Sequence, residues 1–194
     1  MNLPNKLTML RIILTPIFLA VLYWGFPGAD YAALAIFIIA SLTDMLDGKI
    51  ARKYNLVTDF GKFADPLADK ILVVAAMLWF VECGRMPAWM VMIVITREFA
   101  VSGLRMIASD NGRVIAAGWS GKVKTASTMV CIVVMLAMGP VLESYLQALT
   151  SFSAKVPPAY IVWIDPVCGW IITLTTLYSG VEYFVKNKDV IRSA

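Results

Sequence analysis

Histidine is absent from the 194 residues of this chain. Its absence excludes histidine-ligated zinc, Ser-His-Asp triads and histidine general bases. The three cysteines, Cys83, Cys131 and Cys168, lie far apart and show no CxxC spacing, so we interpret them as packing residues. Any chemistry must therefore depend on carboxylates, basic side chains and a hard cation.

The sequence also lacks Gly/Ser linkers, low-complexity tracts and basic runs typical of nucleic-acid binding. We therefore predict a single domain over residues 1–194 and no nucleic-acid partner. Apolar side chains, by contrast, make up 60% of the chain. A soluble domain of this size cannot bury so much apolar surface in one core, so the composition indicates an integral membrane protein.

Six apolar stretches predict an all-α, polytopic membrane protein with six transmembrane helices. They cover residues 7–26, 31–52, 64–83, 87–108, 119–139 and 159–184. Fifteen of the 17 lysines and arginines fall at the termini or on one side of this bundle, and only Arg85 and Lys155 fall on the other. The positive-inside rule therefore predicts a protein of the inner (cytoplasmic) membrane with both termini in the cytoplasm. Gly139 and Pro140 are expected to end or kink the fifth helix, and segment 140–158 is expected to form a loop on the far side.

Acidic residues are concentrated in one part of the chain, where five of the 13 lie within 27 positions. Helical periodicity puts Asp44 and Asp47 on one face of the second helix, and Asp65 and Asp69 one turn apart on the third. Ionisable side chains at membrane depth are costly, so we expect a polar chamber that opens to the cytoplasm. Four clustered carboxylates repel one another unless cations offset them, and oxygen ligands suit Mg²⁺ or Mn²⁺. Since magnesium usually completes its shell with substrate phosphates, the pattern indicates a phosphoryl-transfer site.

Some of these acids have a simpler interpretation. Asp65 and Asp165 each precede a proline, and an Asp-Pro pair is a good helix N-cap. For Asp65 alone, cap and ligand are equally good interpretations, whereas for Asp165 we favour the cap. Asp59 has no helical partner and is interpreted as a solvated loop residue.

The pattern Asp44-x₂-Asp47-Gly48-x₂-Ala51-Arg52-x₈-Gly61-x₃-Asp65-x₃-Asp69 resembles the signature of the CDP-alcohol phosphotransferases at every specified position. The resemblance extends over most of the chain. PNKLTMLRIILTP, TREFAVSGLR, GKVKT and SGVEYF are similar to the branch of that family that makes phosphatidylglycerophosphate.

The resemblance implies a six-helix transmembrane fold, usually a homodimer in membrane lipid. It implies transfer of the phosphatidyl group from CDP-diacylglycerol to sn-glycerol 3-phosphate, with release of CMP. It further implies two metal ions held by Asp44, Asp47, Asp65 and Asp69, with Asp69 also acting as general base. The implied cytidine diphosphate site consists of Asn5, Thr8, Gly48, Ala51, Arg52 and Gly61.

The acceptor in such a reaction is a dianion and needs cations. The resemblance favours Arg97, Arg105, Lys122 and Lys124 for its phosphate, with Glu98 holding Arg97 or Arg105. Because Lys122 and Lys124 are two residues apart, they cannot face the same way on one helix, and one of them is expected in the preceding loop. The alternative is that these cations are interfacial anchors attracted to anionic lipid.

Two other functions stay open at this point. The aspartate motif cannot separate sn-glycerol 3-phosphate from another acceptor such as inositol phosphate or serine, although the basic residues favour a phosphorylated one. A divalent-cation transporter would also place acids in the membrane, but it predicts acids near mid-membrane and a polar path to the far side. The far halves of the second, third and fourth spans carry almost no charge, which disfavours transport.

Overall fold

The computed structural model describes residues 3–54, 59–110, 115, 118–150 and 162–189. Along these ranges the side chains are described except those of residues 3–5, 44–54, 59–66, 69, 110 and 142–150. The described ranges contain six α-helices and no strand, which confirms the all-α prediction. The helices are α1 (Leu3–Trp24), α2 (Ala29–Tyr54), α3 (Asp59–Glu82), α4 (Ala88–Asp110), α5 (Trp119–Thr150) and α6 (Ile164–Lys186).

The end of α5 is the largest departure from the predicted helix ends. The helix continues through Pro140 to Thr150, so the prediction of a loop from residue 140 is wrong for residues 140–150, and residues 151–158 lie outside the described ranges. Pro16 likewise lies inside α1. A proline removes one backbone hydrogen bond, but in apolar surroundings a continued helix is the way to satisfy the remaining backbone groups.

The starts of α3 and α6 correct the interpretations of the Asp-Pro pairs. Because α3 begins at Asp59, Asp65 lies well inside the helix and is not its N-cap, and Asp59 is not a loop residue. The N-cap of α6 is Trp163, without a side-chain cap bond, and Asp165 lies in the first turn. Pro166 is tolerated there because N–H groups of the first turn have no intrahelical acceptor.

The chain divides into two compact units. The first unit comprises Met1–Trp79 and Ile132–Val162, and the second comprises Phe80–Cys131 and Trp163–Ala194. In the first unit α1 packs against α2, where the buried rings of Phe18 and Phe37 lie 6.1 Å apart. Further buried residues of this unit include Leu72, Met77, Ile132, Met135 and Leu136.

In the second unit α4 packs against α6. Two glycines of α6 make room for α4, since a Cβ at Gly169 would lie 3.1 Å from Met90 Sδ and one at Gly180 would lie 3.2 Å from Arg97 Cγ. Met90 lies beside Gly169, and the later residue Arg97 lies beside the later residue Gly180. The two helices therefore run in the same direction. The buried face of α6 repeats every three or four residues, as helix packing requires. It consists of Asp165, Cys168, Gly169, Ile172, Thr173, Thr176, Ser179, Gly180 and Tyr183.

Large apolar side chains also lie on the outside of the helices, among them Ile39, Met92 and Val181. Within the described residues, Lys6–Trp24 and Trp119–Val141 are long and apolar enough to cross a membrane, and Ala29–Thr43 is a shorter apolar helix. Exposed apolar surface of this kind indicates contact with lipid or with another protein.

Candidate active site

The helical backbone of α2 and α3 supports the predicted carboxylate set. α2 is continuous through Asp44 and Asp47, and α3 is continuous through Asp65 and Asp69. The spacings of three and four residues therefore put each pair of positions on one side of its helix. The four side chains lie outside the described part of the structure. The same holds for the predicted nucleotide-binding positions Asn5, Gly48, Ala51, Arg52 and Gly61.

Carboxylate oxygens at these spacings fit Mg²⁺ or Mn²⁺, both of which prefer oxygen ligands. Among the residues whose side chains are described, no group of three or more His, Cys, Asp or Glu could hold a metal ion. That part of the chain therefore offers no competing metal site, and the aspartates of α2 and α3 remain the candidates.

Two polar residues of α1 lie at the level of the aspartates of α2. Thr8 is fully buried, and Arg11 is only 1% exposed. α1 and α2 are joined by a short turn and pack side by side, with Phe18 against Phe37. Arg11 precedes Phe18 by seven residues and Asp44 follows Phe37 by seven residues, which is about 10 Å along each helix. Because the two helices run in opposite directions, Arg11 is level with the backbone of Asp44.

The burial of Arg11 was not predicted, since the sequence indicated only a basic flank of the first span. A guanidinium this deeply buried is retained only with compensating negative charge or hydrogen bonds. The sequence signal for its burial was helical spacing, since Arg11 is three residues from Thr8 and four from the buried Thr15. The N-terminal part of α1 therefore presents a polar stripe to the interior of the first unit.

Three helices of the second unit meet around the neighbouring side chains of Arg97 and Glu98. Glu98 Oε1 accepts hydrogen bonds from Lys124 Nζ at 2.6 Å and from Arg97 Nη1 at 2.8 Å. Arg97 Nη2 also donates to Ser179 Oγ on α6 at 2.7 Å. The expectation that Glu98 holds Arg97 is confirmed. The carboxylate of Glu98 thus meets two largely buried cations, and buried cations need negative partners.

The two lysines of the GKVKT stretch differ in their surroundings. Both lie on α5, so the prediction that one sits in the preceding loop is wrong. Lys124 is buried, whereas Lys122 is exposed, as a spacing of two residues requires. A Cβ at Gly121 would lie 3.8 Å from Arg97 Nη2, so this glycine brings α5 close to the guanidinium. The structure therefore groups Lys124, and not Lys122, with Arg97.

Arg105 has a different partner, since its Nε donates to Tyr183 Oη at 3.1 Å. The guanidinium carbon lies 5.5 Å from the centre of the tyrosine ring, within the range of a cation–π interaction. Tyr183 is 8% exposed and packs beside Val101 and Leu104. Arg105 is two turns, about 12 Å, beyond Arg97 along α4. The four predicted acceptor residues therefore do not form one cluster in the described structure.

Arg85, a third arginine of this unit, forms an ion pair with a carboxylate. Arg85 Nε and Nη2 donate to Asp165 Oδ2 and Oδ1, each at 2.8 Å. The side chains are 12% and 7% exposed, and the guanidinium also lies 5.1 Å from the ring centre of Phe80. Gly84, with φ of 68°, ends α3 in a left-handed turn that places Arg85 beside α6. Asp165 is thus one half of a bidentate ion pair and not the predicted helix cap.

The sequence model of the CDP-alcohol phosphatidyltransferase family matches residues 1–178. The chain therefore belongs to the CDP-alcohol phosphatidyltransferase family.

Three individual members of the family are similar to this chain. The chain is 42% identical over 205 aligned positions to the CDP-diacylglycerol–glycerol-3-phosphate 3-phosphatidyltransferase of Bacillus subtilis (strain 168), covering 100% of this chain and 98% of that protein. It is 40% identical over 141 positions to the protein of the same name from Salmonella typhimurium, covering 70% of this chain and 76% of that one. A probable phosphatidylglycerophosphate synthase of Mycobacterium tuberculosis (strain ATCC 25618 / H37Rv) is 42% identical over 134 positions, covering 68% and 64%.

Proposed function

We propose that this chain transfers the phosphatidyl group of CDP-diacylglycerol to sn-glycerol 3-phosphate, forming phosphatidylglycerophosphate and CMP. The observation that carries the proposal is the 42% identity, over the full length of both chains, to the Bacillus subtilis enzyme whose name states these substrates. The complete aspartate motif on α2 and α3 agrees with it.

The protein is proposed to span the inner (cytoplasmic) membrane six times, as one domain, with both termini in the cytoplasm. Two helices long and apolar enough to cross a membrane support this arrangement, as does the distribution of 15 of the 17 basic residues. α4 and α6 run in the same direction, as the fourth and sixth spans of an alternating bundle must. A homodimer is also proposed, for which the exposed apolar side chains of α6, such as Leu174 and Val181, offer a surface.

The donor is proposed to bind at the first unit. Asp44, Asp47, Asp65 and Asp69 would hold two Mg²⁺ or Mn²⁺ ions, which when bound neutralise the diphosphate and stabilise the departing CMP oxygen. The cytidine diphosphate would be held by Asn5, Thr8, Gly48, Ala51, Arg52 and Gly61. Glycines in such a set permit close approach of the backbone to the nucleotide.

The acceptor's primary hydroxyl is proposed to attack the β-phosphorus, which carries diacylglycerol. The bond from this phosphorus to the CMP oxygen breaks, and Asp69 accepts the hydroxyl proton. Arg97 and Lys124 would bind the phosphate of the acceptor, with contributions from Arg105 and Lys122. The closeness of Arg97 and Lys124, which both contact Glu98, supports this role, because two neighbouring cations can both donate hydrogen bonds to phosphate oxygens.

An acceptor panel tests the proposal. Purified protein in detergent micelles with Mg²⁺ is given radiolabelled CDP-diacylglycerol and, separately, sn-glycerol 3-phosphate, inositol phosphate or serine. We expect release of CMP only with sn-glycerol 3-phosphate. Turnover with serine or inositol phosphate but not with sn-glycerol 3-phosphate would assign the chain to another branch of the family.

A further inference from the structure

Three arginines of the second unit donate hydrogen bonds to side chains of α6, and these side chains are of two kinds. Arg85 meets a carboxylate through two hydrogen bonds, so its charge is neutralised where it lies. The groups of α6 that meet Arg97 and Arg105 are instead hydroxyls, those of Ser179 and Tyr183, and the carboxylate that pairs with Arg97 is Glu98 of its own helix. A neutral hydroxyl fixes the orientation of a guanidinium and leaves its charge available for an anion.

The two hydroxyl residues are four positions apart on the buried face of α6. Ser179 is 1% exposed and Tyr183 is 8% exposed, so neither hydroxyl is free to follow a moving arginine side chain. Gly180 lies between them, and a Cβ there would come within 3.2 Å of Arg97 Cγ. This stretch of α6 therefore fixes the path of the Arg97 stem as well as the orientation of its guanidinium.

The bonds to α6 leave donors unused on both arginines. Arg97 uses Nη1 for Glu98 and Nη2 for Ser179, while its Nε is buried without a hydrogen-bond partner among the described residues. The bond from Arg105 to Tyr183 uses Nε, and Arg105 is otherwise exposed. Guanidinium groups held this way are preorganised to donate to phosphate oxygens.

We propose that Ser179 and Tyr183 of α6 are positioning residues, which orient Arg97 and Arg105 for the phosphate of the acceptor without adding a further counter-charge to either arginine. The proposal rests on the proposed function, since it assumes that these arginines bind a phosphorylated acceptor. α6 is then a determinant of acceptor affinity although neither hydroxyl needs to touch the substrate.

Steady-state kinetics of Ser179→Ala and Tyr183→Phe, with each substrate varied in turn, test the proposal. Both changes keep the packing volume nearly constant and remove one hydrogen bond to a charged group, so we expect the KM for sn-glycerol 3-phosphate to rise about five- to tenfold. The KM for CDP-diacylglycerol should change by less than about twofold, because the donor is proposed to bind at the first unit. Thr173→Ala and Tyr178→Phe are matched controls, since the Thr173 hydroxyl donates to Gly169 O of the same helix and Tyr178 is exposed.

A double-mutant cycle shows whether Ser179 acts through Arg97. In an Arg97→Lys background, Ser179→Ala should raise the acceptor KM by less than about twofold, because the bond it removes is already lost. Full additivity, or an equal rise in both KM values, would overturn the positioning role of Ser179. An unchanged acceptor KM in Tyr183→Phe would overturn that of Tyr183. Failure of wild-type protein to use sn-glycerol 3-phosphate would instead refute the proposed function, so the two failures are distinguishable.

Discussion

The partner of a buried cation determines whether the cation can also bind a ligand. Arg85 is paired with Asp165 through two bonds, and such a bidentate pair is best suited to holding structure together. Lys124 and Arg97 share the single carboxylate of Glu98. The same residue type thus serves packing at one end of α6 and, in our proposal, ligand binding at the other.

The most decisive single substitution in the first unit is Asp47→Asn. It keeps the size of the side chain and removes one charge from the proposed metal ligands, so activity should fall by orders of magnitude at saturating Mg²⁺. The yield of folded protein should change little, because these acids are proposed to cluster for function and not for packing. Assay of purified variant and wild type side by side gives the answer, and near-normal turnover would remove Asp47 from the ligand set.

Arg105→Ala separates acceptor binding from donor binding. Loss of a charge-assisted hydrogen bond costs roughly 1.5–3 kcal/mol, so the apparent affinity for sn-glycerol 3-phosphate should drop about ten- to a hundredfold. The affinity for CDP-diacylglycerol should move much less. Lys188→Ala is the control, because Lys188 is an exposed cation near the end of the chain. If the donor KM rose and the acceptor KM did not, Arg105 would belong to the nucleotide or lipid site.

At the scale of elements, the turn between α3 and α4 is attached to the start of α6 by the Arg85–Asp165 pair. Asp165→Asn leaves a largely buried guanidinium without its counter-charge, and breaking such a pair costs about 3–5 kcal/mol. We therefore expect a clearly lower thermal midpoint, with both KM values unchanged in the protein that remains folded. Glu182→Gln should shift the midpoint less, because its partner Lys186 on the same helix is 68% exposed and water screens the pair. Equal midpoints for the two variants would show that the Arg85–Asp165 pair contributes little.

The helices themselves were largely predictable because apolar runs of about 20 residues have few alternatives in lipid. The errors came from local signals that longer-range physics overrides. Pro140 was expected to interrupt α5, and Asp165 was expected to cap α6, yet the helix continues in one case and the aspartate binds Arg85 in the other. A proline or an Asp-Pro pair indicates the local backbone preference and not the contacts made with residues distant in sequence.

The helical spacing of the aspartates of α2 and α3 was predictable from the motif, and their role as metal ligands stays a prediction. The candidate site was less predictable where partners are distant in sequence. Nothing near Ser179 indicates that its hydroxyl meets Arg97, 82 positions away. Arg11 is similar, since its burial depends on how α1 packs and not on its immediate neighbours.

At the scale of the whole molecule, the charge distribution predicts that both termini lie in the cytoplasm. A fluorescent protein fused after Ala194 should therefore fluoresce in cells, and a periplasmic alkaline phosphatase at the same position should be inactive. Fusion of the same reporters after Phe26, at the end of the first predicted span, should give the reverse result. Active phosphatase at the C-terminus would contradict an even number of spans with a cytoplasmic N-terminus.

The central claim is that the acceptor attacks the phosphorus that carries diacylglycerol. It is tested most directly by mass spectrometry of all products from CDP-diacylglycerol and sn-glycerol 3-phosphate labelled with ¹⁸O in its primary hydroxyl. The account predicts equal amounts of CMP and phosphatidylglycerophosphate, with the label in the lipid and none in CMP. Formation of phosphatidic acid with a labelled cytidylyl-glycerol phosphate, or no lipid product that contains the acceptor, would contradict it.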